Sequence, residues 1–130
     1  MKQITVVCAL CALSAVLPAP SAWAQSKEEG ISLFNQALQL QKTAKSSQDL
    51  DRVLETYRKA LAIFERLNFH KGIGLVANNM AMVYGRRGDY DRALELYAKS
   101  RAIEWKLGDT AGEENTLNNM GKRSGGVRGQ

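Results

Sequence analysis

The sequence predicts an all-α array of stacked antiparallel helix pairs, two full pairs plus one extra helix. Three observations carry this. The chain repeats itself when shifted by 40 residues, its apolar residues recur at helical spacing within each copy, and Gly-Asp or Asp pairs fall between the periodic runs. In the shifted register Asp49-Leu50-Asp51-Arg52 lies on Asp89-Tyr90-Asp91-Arg92, Leu54-Glu55 on Leu94-Glu95, and Tyr57 on Tyr97. Lys59, Ala62-Ile63, Leu67, Gly72 and Asn78-Asn79-Met80 then recur as Lys99, Ala102-Ile103, Leu107, Gly112 and Asn118-Asn119-Met120.

The chain opens with a segment that is not expected to belong to the fold. Met1-Lys2 is basic, Ile4 to Leu17 is nearly all apolar, Pro18 and Pro20 end the run, and Ala22-Trp23-Ala24 is a small-x-small cleavage site. That order is a secretory signal peptide over 1–24. The apolar run is too short to span a bilayer, which takes roughly 20 residues. Cys8 and Cys11 both lie in this leader, so the mature chain has no cysteine and relies on packing alone. The expectation is an exported protein of bacterial type, periplasmic or secreted.

The first helices of the units are expected near Ser26–Ala44, Lys71–Arg87 and from Thr110 onward. Ile31, Phe34, Leu38 and Leu40 form the apolar face of the first; Leu75, Val76, Met80, Val83 and Tyr84 form that of the second. The second helix of the first unit starts at Asp49 or Asp51, and that of the next at Asp89 or Asp91, since either carboxylate can accept first-turn N–H groups. Val53, Leu54, Tyr57, Leu61 and Phe64 follow at helical spacing, and Ala93, Leu94, Tyr97 and Ile103 are expected inside the next unit. Gly88 is placed to take the left-handed conformation that ends a helix. A single pair cannot bury its own apolar face, so the units must stack.

These residues resemble the tetratricopeptide repeat family, in its longer variety of roughly 40 residues found in kinesin light chains. The run Asn78-Asn79-Met80-Ala81-Met82-Val83-Tyr84-Gly85-Arg86-Arg87-Gly88-Asp89-Tyr90 carries the likeness, with Ala93, Tyr97 and Ser100 at small, aromatic and small positions and Leu107-Gly108-Asp109 at the turn. The resemblance implies a right-handed superhelical stack with units near 26–67, 71–107 and an incomplete 110–121, together an array over 25–121. It departs from the pattern at Gln41 and Ala44, and at Lys122, where Arg123-Ser124 replace the expected Val-Tyr. Residues 122–130 are read as a disordered basic tail, and the break inside the third unit raises the expectation of a truncated version of a longer protein.

Function is read from the same resemblance. Such arrays hold a peptide or partner protein on the concave face of their first helices. By position this puts Asn78, Asn79, Asn118 and Asn119 at the groove, with Lys71, Asn115 and Arg86 adding polar contacts. An amide suits the task because it both donates and accepts toward a peptide backbone; the plainer account is that one Asn of each pair bonds between neighbouring helices. The predicted role is a non-catalytic scaffold or adaptor, the alternative an N-terminal sensor or assembly region of a larger enzyme or signalling protein. The edge at Leu117 and Met120 needs a cover, which a partner, further repeats or a second copy of the chain would supply.

The remaining classes find little support. Of the net charge of +5, Lys2 in the leader and Lys122, Arg123 and Arg128 near the end supply four, so the repeat body is nearly neutral and no nucleic-acid partner is expected. His70, alone of its type, is assigned to a surface connection, without the ligand set a metal needs. No cofactor or metal is expected. Gly72-Ile73-Gly74 lacks a preceding strand, and Glu113-Glu114 belongs to a helix first turn, where acids suit the dipole. Trp105 is assigned to the core or its flank.

Overall fold

The computed structural model describes residues 22–127, with side-chain surroundings for 26–122. It contains five helices: α1 (Ala22–Thr43), α2 (Ser47–Arg66), α3 (His70–Arg86), α4 (Tyr90–Leu107) and α5 (Thr110–Val127). The closest packing is α1 on α2 and α3 on α4; α2 against α3 and α4 against α5 join the units, and the first helices touch more lightly, α1 on α3 and α3 on α5. This is an all-α solenoid of two pairs plus one helix. The leader reading lies outside the described residues except at 22–24, which belong to α1, and α5 continues past Gly121 to Val127.

Local chemistry sets the boundaries. The cap of α2 is Ser46, one turn earlier than Asp49 or Asp51: Ser46 Oγ accepts from Asp49 N at 3.0 Å, and Asp49 Oδ2 accepts from the N–H groups of Ser46 and Lys45 at 3.0 Å each. This is a reciprocal capping box, and it holds the Asp49 pKa below the ordinary carboxylate value, chiefly through those two backbone bonds. Asp51 instead pairs with Arg87 across the α2–α3 interface. Asp89 caps α4. Gly88 has φ +81°, as expected of a residue that ends α3. Gly108 after α4 has φ +66°, and its repeat counterpart Asn68 has φ 52°, so the first turn keeps the conformation although it lost the glycine.

The core runs along the α1–α4 stack: Ala37, Val53, Leu54, Tyr57, Ala60, Phe64, Val76, Val83, Ala93 and Tyr97 are buried. Tyr57 lies in its middle, its ring 5.9 Å from that of Phe34, and its hydroxyl donates to Gln41 Oε1 at 2.6 Å. Burial pushes the Tyr57 phenol pKa well above the tyrosine range. Phe64 fits between Gly30 and Gly72: a Cβ at either glycine would fall 2.6–2.7 Å from its ring, which fixes both as close approaches of helix backbone. Three assignments to the core are corrected. Ile31 is 41% and Leu75 43% exposed, because each helix of the stack is covered by neighbours on two sides and keeps an open stripe between them; Leu94 is 52% exposed, because no described helix covers α4 where α2 is covered at Leu54. Trp105 belongs to the flank, 72% exposed.

Candidate binding face

The open stripe of α3 carries the candidate site. Lys71, Leu75, Asn78 and Met82 follow one another at i, i+4, i+7 and i+11, so they share a face of the helix. Lys71, Leu75 and Met82 are exposed and Asn78 half-buried. Two large apolar side chains in water on one helix, among polar neighbours, form a surface suited to a partner.

The seam between α3 and α5 is closed at one point. Asn119 Nδ2 donates to Asn78 Oδ1 at 3.1 Å and approaches Met82 Sδ at 3.7 Å. On one side of this bridge lies a cavity of about 50 Å³, lined by Lys71, Leu75, Asn78, Glu104, Asp109 and Asn115 among others. On the other side lies one of about 160 Å³ between Met82, Tyr97, Asn119 and Lys122. The inter-helix reading of the asparagines therefore describes Asn78 and Asn119, although both still border the cavities.

The other residues singled out in the sequence are spread more widely. Asn79 is half-buried and donates to Leu75 O of its own helix at 2.8 Å, which leaves its side-chain oxygen available as an acceptor. Asn118 is exposed on α5. Lys71 stands at the rim of the smaller cavity. Arg86 is engaged elsewhere: its guanidinium donates to Gln41 O at 3.0 Å and Ala44 O at 2.8 Å. It satisfies carbonyls that the end of α1 leaves without intrahelical partners, and so ties α1 to α3. His70 is exposed at the start of α3.

Sequence reasoning missed the polar interior beside this face. Ser100, Glu104 and Thr116 are all buried, and Glu104 Oε1 lies 2.8 Å from Ser100 Oγ and 2.9 Å from Thr116 Oγ1. A signal was present: the 40-residue shift sets these three on Ala60, Phe64 and Val76, which are all apolar. Among the described residues no group of three His, Cys, Asp or Glu side chains is placed to hold a metal ion, and no helix is long and apolar enough to cross a membrane.

Paired antiparallel helices of this length, stacked with left-handed turns between units, define a helical-repeat protein. Residues 43–104 match the tetratricopeptide repeat family model, and the helix pairs of this segment are tetratricopeptide repeats. Neither a curated protein nor a solved structure matches it. Proteins with these repeats generally mediate protein–protein interaction, as non-catalytic scaffolds.

Proposed function

We propose that the chain is an exported, non-catalytic adaptor that holds an extended peptide segment of a partner along the α3–α5 face. The observation that carries this is the exposed stripe of Lys71, Leu75, Asn78 and Met82 beside the two cavities of the seam. Leu75 and Met82 supply apolar contact; Met is adaptable and suits varied side chains. Asn79, Asn115 and Asn118 supply amide groups for the peptide backbone. Export is read from the leader-like order of residues 1–24, and the compartment proposed is a periplasm or the cell exterior.

The test is selection of displayed peptides on the protein, followed by titration of the selected peptides against variants. Leu75→Asp and Met82→Asp each weaken binding about tenfold or more, as expected for an apolar anchor. Asn79→Ala weakens it less and leaves the fold intact, whereas Leu94→Asp, on α4 and away from the α3 stripe, changes nothing. Equal affinity for wild type and both Asp variants would remove the face from consideration.

One observation favours a second reading, in which the repeats serve as the recognition part of a longer enzyme or signalling protein. Leu54 is fully buried, but its counterpart Leu94 is 52% exposed, and Leu117 is 44% exposed. A further helix packed on α4 and α5 would cover both.

A further inference from the structure

The second unit has replaced a whole apolar contact by a polar one. Ala60, Phe64 and Val76, each at most 2% exposed, join α2 to α3; at the matching positions between α4 and α5 stand Ser100, Glu104 and Thr116, at 0, 6 and 0%. Three separate changes converge on one carboxyl group. The hydroxyls of Ser100 and Thr116 approach only its Oε1, and Ser100 Oγ also lies 2.8 Å from Gly74 O. Oε2 is buried and meets no protein donor, and no cation among the described residues pairs with Glu104. A buried carboxylate oxygen without a donor is unfavourable, whereas the Phe64 ring at the matching position leaves no such group.

Glu104 lines the smaller cavity, whose rim is the proposed peptide face at Lys71 and Leu75. We propose that this cavity is a subsite for a primary ammonium group of the bound peptide, from a lysine side chain or an amino terminus. The Glu104 carboxylate is its counter-charge, and the side-chain oxygens of Asn78 and Asn115 accept its other N–H groups. The inference rests on the peptide-binding reading of the face. The size admits a compact head: the cavity is about 50 Å³, and a single water needs about 10–15 Å³ of such space. An ammonium offers three donors and fits such a space, whereas the planar guanidinium is larger. Asp109 also lines the cavity, its Oδ1 accepting from Gly112 N at 2.9 Å, so the lining carries two carboxyl groups against the single ammonium of Lys71 at the rim.

The test is titration of the isotope-labelled protein, followed by backbone amide NMR. The probes are Nα-acetyl-lysine methylamide, glycinamide, and the neutral Nα-acetyl-norleucine methylamide, at matched ionic strength. The ammonium probes are expected to shift Gly74, Ser100 and Thr116 saturably, and the neutral probe is not. A response to the lysine probe alone assigns the subsite to a side chain; a response to glycinamide alone assigns it to an amino terminus. Glu104→Gln is expected to weaken the responding probe about tenfold. Ser100→Ala/Glu104→Phe/Thr116→Val, which restores the first unit's residues, is expected to abolish the response even if Glu104→Gln folds poorly. No saturable shift with either ammonium probe, or equal shifts in the variants, would overturn the proposal and leave a hydrated cavity. Displayed peptides that still depend on Leu75 would then preserve the wider reading, so the two fail separately.

Discussion

At Asp49 one carboxylate accepts from two backbone N–H groups while Ser46 returns a bond to the backbone of Asp49. The folded-state pKa of Asp49 is therefore depressed. By linkage, a depressed carboxylate contributes stability above its unfolded pKa of about 3.9, and that contribution is lost as pH falls through the folded value. Urea denaturation should accordingly show wild type more stable than Asp49→Ala at neutral pH, with the gap closing in acid below the ordinary carboxylate range. A gap independent of pH would mean that the side chain acts by some other route than its charge. The residue scale is also where the sequence was hardest to read. Asp49, Asp51, Asp89 and Asp91 are equivalent cap candidates by type, and only the register of the backbone decides among them; Ser46 took the role because its hydroxyl reaches the third N–H of α2. Arg86 looked like a groove residue because it shares a helix with Asn79, yet the nearby end of α1 offered carbonyls without partners.

Among the helices, the α2–α3 and α4–α5 contacts are repeats of one another with opposite polarity. Substituting Ser100→Ala, Glu104→Phe and Thr116→Val together should stabilise the fold by about 1–3 kcal/mol, since replacing a buried charged group by well-packed apolar residues is often favourable. Gly112 retains the small residue that makes room for Phe64 at Gly72, so the larger ring has a precedent in the same chain. Thermal or urea unfolding checks this, and destabilisation would show that the polar set is needed for packing itself. Helix identity and pairing were legible because the 40-residue period and the helical spacing agree. Which stripe stays open was not. In a solenoid a first helix is covered on two sides, so apolar residues spread around most of its circumference, and spacing alone assigned Leu75 to the core. The polar interior could have been found by asking where the repeat differs from itself, not where it agrees.

For the molecule as a whole, the stack is better covered at its first unit than at its last. Leu54 and Leu94 are matching residues, 0% and 52% exposed. Leu54→Ala should cost about 2–5 kcal/mol, in the range of fully buried leucines. Leu94→Ala should stay within about 0.5 kcal/mol, as surface changes do. Comparable losses at both sites would show that α4 is covered in solution on a side that is open here. The same comparison separates a lone array from one whose last helix is masked by a second copy or a further domain. The match over 43–104 spans α2, α3 and most of α4, in keeping with the weaker resemblance of the first helix and the departure at Lys122.

Whether a peptide lies along the open stripe of α3 is decided by the amide NMR footprint of a selected peptide on the labelled protein. Shifts are expected to concentrate at Lys71, Leu75, Asn79 and Met82 on α3 and at Asn115 and Asn118 on α5. A footprint centred on Leu94, Ala98 and Trp105, exposed on α4, would contradict it and move the binding surface from α3 to α4.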